Sequence, residues 1–254
     1  MIIMQEKITI ATIVRNDIEG FLTTAKSVVE QTYGNIEWVV IDGASNDGTS
    51  DFVKRFLNRI EQLVIEADEG VYDAMNKAIE LASGGWLIFM NAGDIFYEKE
   101  TVSKLVSRTL QDDDVVWGSV VGLEDDEMKF HRLPEEYYLG MIFDHQAVMV
   151  RTHLYKSFGY NKEYRVSGDF DFFSRLQISG CNFRKLEYLI VTRKPYLDGI
   201  SASFEDRLSE RVRIIKRYFN DESWADIVKA EIESYINIHN SDAVTKNKLL
   251  SYIE

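Results

Sequence analysis

The first third of the chain alternates short apolar runs with amphipathic stretches, and this alternation constrains the fold more than any other feature. The apolar runs have the length of buried strands, and the stretches between them place apolar residues at helical spacing. The predicted strands are Ile8–Val14, Ile36–Asp42, Leu63–Ala67 and Trp86–Met90, and the predicted helices are Phe21–Gln31, Thr49–Ile60 and Tyr72–Ala82. Such a series predicts an α/β, Rossmann-like fold, with a mostly parallel central sheet, right-handed crossovers and flanking helices.

Beyond residue 100 the alternation loosens, and the chain ends in a helical extension. The predicted elements are a helix at Glu100–Leu110, a hairpin of Val115–Val121 and Met128–Leu133 around an acidic turn at 124–127, a strand at Gln146–Val150 and a helix at Asp169–Ile178. From Phe204 onward the pattern predicts two or three helices that wrap the core or build an interface.

Charge and cysteine content exclude several classes of protein. The formal net charge of −13 argues against a nucleic-acid duplex as partner, because duplex binding needs Lys and Arg against the phosphates. The single cysteine, Cys181, cannot form an internal disulfide, so a reducing cytoplasm is predicted. No stretch reaches the ~20 apolar residues of a membrane span, so we expect peripheral contact with a membrane at most.

Three acidic segments mark the places where chemistry is expected: Val39–Thr49, Phe89–Asp94 and Gly168–Asp171. In the first two, an apolar run stops at a carboxylate within a glycine-containing turn. A parallel sheet presents acids in this way at the carboxyl ends of its strands, where open α/β sheets bind ligands.

A dinucleotide-binding domain also places an acid where Asp42 stands, to hold a ribose. That class needs Gly-x-Gly-x-x-Gly in the first strand-to-helix turn, so that the pyrophosphate can approach the backbone. Residues 14–20 read Val-Arg-Asn-Asp-Ile-Glu-Gly, with one glycine at the end. The sequence therefore argues against NAD as the ligand.

In order and spacing, the acidic segments resemble those of the family 2 glycosyltransferases of the GT-A fold, which transfer a sugar from a nucleotide-sugar donor to an acceptor hydroxyl. The resemblance covers residues 8–203. Residues 66–77, Glu-Ala-Asp-Glu-Gly-Val-Tyr-Asp-Ala-Met-Asn-Lys, look like a segment of the bacterial subgroup that builds polysaccharides such as O-antigen and colanic acid. The resemblance implies a GT-A domain at 1–203, with a nucleotide-sugar-binding half (1–95), an acceptor-side half (96–203) and a helical extension (204–254).

The resemblance also implies a set of donor-binding residues. Asp42 would meet the uracil or ribose, and Asp68 and Asn76 would lie on the nucleotide side, although a solvated helix face is the alternative for Asn76. The implied set is Thr12, Val14, Asn16, Asp42, Asp68, Asn76, Ala92 and Gly93. Arg15 stands where the family usually has an aromatic residue, and a guanidinium can also stack on a base.

Asp94 and Asn91 match the family's metal motif. Mg²⁺ or Mn²⁺ held there would neutralise the charge on the diphosphate leaving group. Asn91 replaces the first acid of the motif and Gly93 the middle one, so we expect weak metal affinity in the absence of the donor. The alternative for Asp94 is a cap on the following turn.

Asp169 matches the family's general base, which takes the proton of the acceptor hydroxyl. The alternative is a structural role, because Ser167 or Asp169 can cap the helix that follows. Asp171 lies two residues on, cannot face the same way and is the weaker candidate.

Three further features each keep two interpretations. His145 lines an acceptor pocket, or it is a satisfied core or rim residue. Gly199-Ile200-Ser201 resembles a loop that closes over donor phosphates, or it is an ordinary loop. The basic stretch 207–219 meets an anionic membrane or a lipid diphosphate, or its apolar stripe packs on the core while its charges stay in water.

The resemblance therefore implies an inverting, metal-dependent transferase of bacterial surface polysaccharide biosynthesis, with a UDP-sugar donor and a carbohydrate acceptor, free or lipid-diphosphate-linked. One alternative is a sugar nucleotidyltransferase, which would want a glycine-rich loop with Arg or Lys after the first strand. The other is an inactive sugar- or nucleotide-binding module. A homodimer is left open, and the expected location is the cytoplasm or the cytoplasmic face of the membrane.

Overall fold

The computed structural model describes residues 6–122, 144–193, 204–219, 224–239 and 243–253. Within these ranges the chain forms one eight-stranded sheet. The strands are β1 (Ile8–Val14), β2 (Ile36–Asp42), β3 (Gln62–Ile65), β4 (Trp86–Phe89), β5 (Asp94–Phe96), β6 (Val115–Gly122), β7 (Val148–Arg151) and β8 (Phe183–Arg193). Their order across the sheet is β3-β2-β1-β4-β7-β6-β8-β5.

The first four strands form a parallel half-sheet whose register positions the loops of the site. Val14 pairs with Asp42, and Asp42 pairs with Ile65. β4 lies parallel to β1 on its other side, with Phe89 opposite Ala11. We call the edge formed by the carboxyl ends of β1, β2 and β4 the carboxyl edge. Because these strands end together, the loops that follow them meet there.

Two later strands run in the opposite direction and begin at the same edge. β7 is antiparallel to both β4 and β6, so the residues before Val148 lie beside the carboxyl end of β4. β5 is antiparallel to β8, with Asp94 opposite Arg193. The carboxyl edge therefore collects residues from distant parts of the chain.

Nine α-helices cover the sheet in the described ranges. They are α1 (Ile18–Val29), α2 (Thr49–Val53), α3 (Val71–Leu81), α4 (Thr101–Arg108), α5 (Thr152–Phe158), α6 (Gly168–Ile178), α7 (Phe204–Tyr218), α8 (Trp224–His239) and α9 (Ala243–Leu250). Two 3-10 turns, at Lys54–Phe56 and His145–Ala147, follow α2 and precede β7.

Two apolar clusters hold these layers together, and successive residues of β1 alternate between them. Ile10 belongs to the cluster that packs α1 and α4 on the sheet. Ala11 belongs to the cluster that takes α3, α5, α6 and the three C-terminal helices. Burial of one large aliphatic side chain contributes ~1.5–3 kcal/mol. The C-terminal helices therefore share a core with α6 instead of forming a separate one.

The basic stretch falls in α7, and its apolar stripe is buried. Leu208, Val212 and Ile215 lie in the same cluster as α6, so the interpretation in which the stripe packs on the core is confirmed. Among the described residues, no helix is both long and apolar enough to cross a bilayer.

The predicted α/β fold is confirmed, while some boundaries differ. β1 and β2 have the predicted limits, whereas α2 ends at Val53. There the chain tightens into a 3-10 turn, and the Phe56 ring packs 5.5 Å from Phe21 and 6.1 Å from Trp38. Neither α5 nor β8 is predicted by the sequence pattern. The second strand of the predicted hairpin and its acidic turn lie outside the described residues.

Asp113, beside the amino end of β6, forms a part-buried ion pair with Arg184, whose Nε lies 2.8 Å from Oδ1 and Nη2 2.5 Å from Oδ2. The guanidinium holds the pKa of Asp113 below its usual 3.8. We expect Asp113→Asn to lower the free energy of unfolding at pH 7 by ~1–3 kcal/mol, measured by urea denaturation. Because the folded pKa is depressed below 3.8, this stabilisation is present above that unfolded value and is lost as pH falls through the folded pKa.

The control is Asp51→Asn, which removes an exposed ion pair with Lys54 and should leave the denaturation midpoint unchanged, since such pairs contribute little. An Asp113→Asn protein as stable as wild type at pH 7 would show that this pair has no net effect.

Candidate active site

Asp42 lies at the end of β2, fully buried. Its Oδ1 accepts hydrogen bonds from the Ser45 amide at 3.0 Å and the Ser45 hydroxyl at 2.6 Å, and its Oδ2 accepts one from the Ser50 hydroxyl. The carboxylate thus organises the β2–α2 loop. The structure places Asp42 at the carboxyl edge, as the sequence predicts, and a contact with the donor remains a prediction.

The loops after β1 and β2 lock onto each other. Asn16 Oδ1 accepts the Asn46 amide at 2.9 Å, and the Asn16 amide donates to Ser45 Oγ at 2.8 Å. Asn16 and Ala44 both have left-handed backbones, with φ of 50° and 55°. Asparagine tolerates this conformation, whereas alanine does not favour it. Strain of this kind persists only where the surroundings hold it, which the cross-links between the loops do.

Asp68 and Arg15 close over Gly43. A Cβ at Gly43 would lie 2.2 Å from Asp68 Oδ2 and 3.1 Å from Arg15 Cδ, so only glycine allows this approach. Asp68 accepts the Gly70 amide at 3.0 Å, and Arg15 Nη1 lies 3.9 Å from Asp68 Oδ1. The Arg15 side chain is 61% exposed. The predicted nucleotide residues Asp42 and Asp68 therefore flank one glycine, beneath an exposed guanidinium.

Three other predicted donor residues make their contacts within the protein. Thr12 is buried, and its hydroxyl accepts the Trp38 indole N–H at 3.0 Å. Val14 is 2% exposed. The amide of Asn76 donates to the Tyr160 carbonyl at 2.9 Å and accepts the Tyr160 N–H at 2.8 Å. The structure gives these side chains contacts within the fold, and their donor contacts remain predictions.

The turn after β4 holds Asn91, Ala92, Gly93 and Asp94. Asp94 Oδ2 accepts the Asn91 amide at 3.0 Å, and the Ala92 amide donates to the Ile13 carbonyl at 3.1 Å. From α1, the Thr24 hydroxyl lies 2.9 Å and 2.8 Å from the Asn91 and Asp94 carbonyls and accepts the Gly93 amide at 3.0 Å. The turn is thus fixed from two sides, by β1 and by α1.

The oxygen atoms of this turn suit a hard divalent cation. In the described part of the chain, Asn91 Oδ1 is buried and has no hydrogen-bond partner, and Asp94 supplies a carboxylate to the same turn. Mg²⁺ and Mn²⁺ prefer such oxygen ligands, and Mg²⁺ is often completed by substrate phosphates and water. The described residues contain no group of three His, Cys, Asp or Glu side chains placed to hold a metal. The donor set therefore fits a metal that is shared with a diphosphate.

Asp169 lies in the first turn of α6, with its side chain 20% exposed. Oδ1 accepts the Phe170 amide at 2.8 Å and lies 3.4 Å from the Tyr72 hydroxyl, and Oδ2 lies 3.4 Å from His145 Nδ1. One oxygen therefore satisfies a helix N–H, as the capping interpretation requires. The carboxylate also keeps an exposed portion, so both interpretations are compatible with this geometry.

Tyr72, from α3, supports the backbone on which Asp169 is carried. Its hydroxyl donates to the Val166 carbonyl at 2.9 Å. Its ring packs so closely on Gly168 that a Cβ added to this glycine would lie 2.7 Å from the nearest ring atom. Burial, together with the charge of Asp169, raises the pKa of Tyr72 well above 10. The hydroxyl therefore stays protonated as a donor.

His145 contacts Asp169 and lies near enough to Asp94 for the charge of that carboxylate to act on the imidazole. Burial disfavours its charged form, but the hydrogen bond and charge of Asp169, with the charges of Asp94 and Asp144, raise the pKa of His145 above 6.5. The imidazole thus responds to the predicted base and to the predicted metal ligand together. His145 lies at the site, with its side chain 23% exposed.

Asp171, by contrast, is fully buried and paired inside the fold. Its Oδ2 accepts from Arg175 Nε at 2.8 Å, and its Oδ1 accepts the Tyr218 hydroxyl at 2.9 Å. It faces away from Asp169, as the sequence predicts, and its contacts are structural.

The structure adds three residues that the sequence analysis does not place at the site. In the sequence analysis, Thr24 and Tyr72 are only members of predicted helices. Glu210 contacts the segment before Asp169, as described below. A faint signal existed for Tyr72, since it lies within the distinctive 66–77 segment. Gly199-Ile200-Ser201 lies outside the described residues.

Comparison with known sequences identifies related proteins. The family model "Glycosyl transferase family 2" matches residues 9–176, more than half of the chain. The PGL/p-HBAD biosynthesis glycosyltransferase of Mycobacterium bovis (strain BCG / Pasteur 1173P2) is 31% identical over 197 residues, which cover 71% of this chain and 73% of the relative.

Solved structures share the fold at low sequence identity. TarS 1–349 of S. aureus, in complex with UDP-GlcNAc, matches with a TM-score of 0.69 and 17% identity over 97% of this chain and 71% of that one. The mannosyltransferase PcManGT of Pyrobaculum calidifontis, in complex with GDP-Man and Mn²⁺, matches with a TM-score of 0.67 and 17% identity over 98% and 74%. The architecture of the sheet and its helices is that of these proteins.

Proposed function

Because the chain belongs to glycosyltransferase family 2, we propose that it transfers one sugar from a UDP-sugar to a carbohydrate hydroxyl, with inversion at the anomeric carbon and with help from a divalent cation. The observation that carries this proposal is the meeting of Asp169, His145 and the Asn91–Asp94 turn at the carboxyl edge. A nucleotidyltransferase or an inactive binding module would not need a partly exposed carboxylate held from both sides.

In the proposed reaction, Asp169 accepts the proton of the acceptor hydroxyl. That oxygen attacks the anomeric carbon on the face opposite the nucleotide, the new C–O bond forms, and the bond from the anomeric carbon to the diphosphate oxygen breaks. The diphosphate leaves with the electron pair. A positioned carboxylate contributes ~10²–10⁴-fold to such a proton transfer. His145 and the Phe170 amide, which contact different oxygens of Asp169, hold it in one orientation.

Asp94 and Asn91 would hold Mg²⁺ or Mn²⁺. Such a cation, when bound, stabilises the charge that develops on the leaving diphosphate. The loops at Asp42 and Asn16, with Arg15 and Asp68 around Gly43, would receive the nucleoside. We base the nucleotide on two features: the fold neighbour described with UDP-GlcNAc and the resemblance of Asp42 to a uracil- or ribose-binding acid. The GDP-Man complex of the second neighbour makes GDP the natural comparison.

We place the reaction in the assembly of a bacterial surface polysaccharide on the cytoplasmic side, with the acceptor free or linked to a lipid diphosphate. The 66–77 segment supports this placement. Activity on a purified lipid-diphosphate-linked acceptor, compared with the same sugar in free form, would test it.

Nucleotide release tests the proposed function directly. We expect UDP to be released from at least one UDP-sugar in the presence of an acceptor glycan extract and Mn²⁺, and the anomeric configuration of the product, read by NMR, to be opposite to that of the donor. Calorimetry should find UDP binding that Mn²⁺ strengthens, with no binding of NAD. Release of pyrophosphate from a nucleoside triphosphate and sugar phosphate would favour a nucleotidyltransferase, and binding without turnover across UDP-, GDP- and dTDP-sugars would favour an inactive module.

A further inference from the structure

A glutamate of the C-terminal helix α7 binds the segment that carries Asp169. Glu210 is 9% exposed. Its Oε1 accepts the Arg165 amide at 2.8 Å, and its Oε2 accepts the Val166 amide at 2.9 Å and the Ser167 amide at 2.7 Å. Three consecutive N–H groups, directly before the first residue of α6, therefore end on one carboxylate.

This arrangement is unusual for a residue on the buried side of an amphipathic helix. Glu210 lies one turn before Ile214, which is fully buried, at a position that an apolar residue would ordinarily fill. A buried carboxylate is tolerated only when its oxygens receive hydrogen bonds. Charge-assisted bonds from backbone N–H groups are among the stronger kind. The contact thus ties α7 to residues 165–167 specifically, beyond what packing alone requires.

The same segment is held from its other side by α3. The Tyr72 hydroxyl donates to the Val166 carbonyl, and its ring packs against Gly168. Val166 is therefore held at its N–H by Glu210 and at its carbonyl by Tyr72. Because Asp169 follows two residues after Ser167, the orientation of this segment determines where the Asp169 carboxylate lies relative to His145.

We propose that Glu210 is a positioning residue for the reaction: it holds residues 165–167 so that Asp169 faces the acceptor hydroxyl. This inference rests on the proposed role of Asp169 as the base. Displacements of about 1 Å in a reacting group can cost ~10²-fold in rate, so a carboxylate remote from the substrate can act on turnover through the backbone it holds.

The test uses Glu210→Gln, which keeps the length of the side chain but loses its charge and one acceptor oxygen. We expect kcat to fall ~10- to 100-fold, while the donor KM and the Kd for UDP stay unchanged. Hydrogen exchange of the 165–170 peptide should become faster. In an Asp169→Asn background, Glu210→Gln should cause no further loss of kcat, because the base through which it acts is already gone.

The matched control is Ile215→Val, which shortens a fully buried side chain of the same helix and leaves the three hydrogen bonds of Glu210 in place. It should lower Tm without changing kcat. If Glu210→Gln does not fold, Glu210→Asp keeps the charge but retracts it by one methylene, and the same fall in kcat is expected.

The outcomes separate this inference from the proposed function. Wild-type kcat in folded Glu210→Gln, or an additional loss in the Asp169→Asn background, overturns the positioning role even when Asp169→Asn alone is inactive. An Asp169→Asn protein with wild-type kcat overturns the proposed base whatever Glu210→Gln does.

Discussion

Asp169→Asn is expected to lower kcat by ~10²–10⁴-fold while Tm and UDP binding stay near wild type. Asparagine keeps an oxygen that can accept the Phe170 amide, so the helix end stays satisfied. The amide cannot take the acceptor's proton at neutral pH. A cap contributes ~1 kcal/mol to stability and nothing specific to the barrier, so the two interpretations of Asp169 predict different measurements. Steady-state kinetics and a thermal melt of the same preparation decide between them.

Asp171→Asn provides the contrast, because it lies in the same helix turn but is buried against Arg175 and Tyr218. Removing one partner of a buried pair is strongly destabilising, so this variant should melt lower yet retain more activity per folded molecule than Asp169→Asn. If Asp169→Asn transfers sugar at the wild-type rate, Asp169 is only a cap and the base lies elsewhere.

Asp94→Asn is expected to reduce turnover by ~10²-fold or more, since a bound cation supplies several kcal/mol of charge stabilisation to the transition state. Folding should be preserved, because an amide oxygen can still accept the Asn91 N–H. A chelator should produce the same loss in the wild-type protein. Calorimetry gives a readout independent of turnover: Mn²⁺ should no longer strengthen UDP binding to the variant.

Asn91→Asp is the matched variant for this prediction. It replaces the amide that carries the buried, unpartnered Oδ1 with a second carboxylate in the turn that holds Asp94, and higher charge on the ligands increases affinity for divalent cations. We expect tighter binding of Mn²⁺ together with UDP. Full wild-type activity in excess EDTA would remove the metal from the mechanism.

The sequence was most informative where structure is determined locally. β1 and β2 are continuous apolar runs that stop at a polar turn, and their limits match the prediction. The apolar residues of 54–60 predict a continuation of α2, but tertiary contacts of Phe56 with Phe21 and Trp38 favour a tighter turn there. Periodicity does not report such contacts, because they depend on which layer a helix meets.

The same distinction between locally determined structure and tertiary contacts applies to the candidate site. Asp42 and Asp94 are visible as acids at strand ends, since parallel register brings such ends together. The pairing of His145 with Asp169 depends on β7 running antiparallel to β4, and the contact of Glu210 with residues 165–167 spans more than 40 positions of the chain. The sequence gives little hint of the latter, because the residues at helical spacing from Glu210 include the charged Asp206 and Arg213.

If the donor nucleotide binds at the loops after β1 and β2, as proposed, the interlocking of these loops has a consequence for how the donor is selected. Asn16 and Ala44 already adopt their left-handed conformations, and hydrogen bonds among Asn16, Ser45 and Asn46 hold them. A nucleotide that binds there does not have to order these loops, so little conformational entropy is lost on association. Loops held in this way adapt poorly to a base of different shape. Selectivity among nucleotides would therefore arise from exclusion by shape, and broadening it would require loosening these loops before adding new contacts.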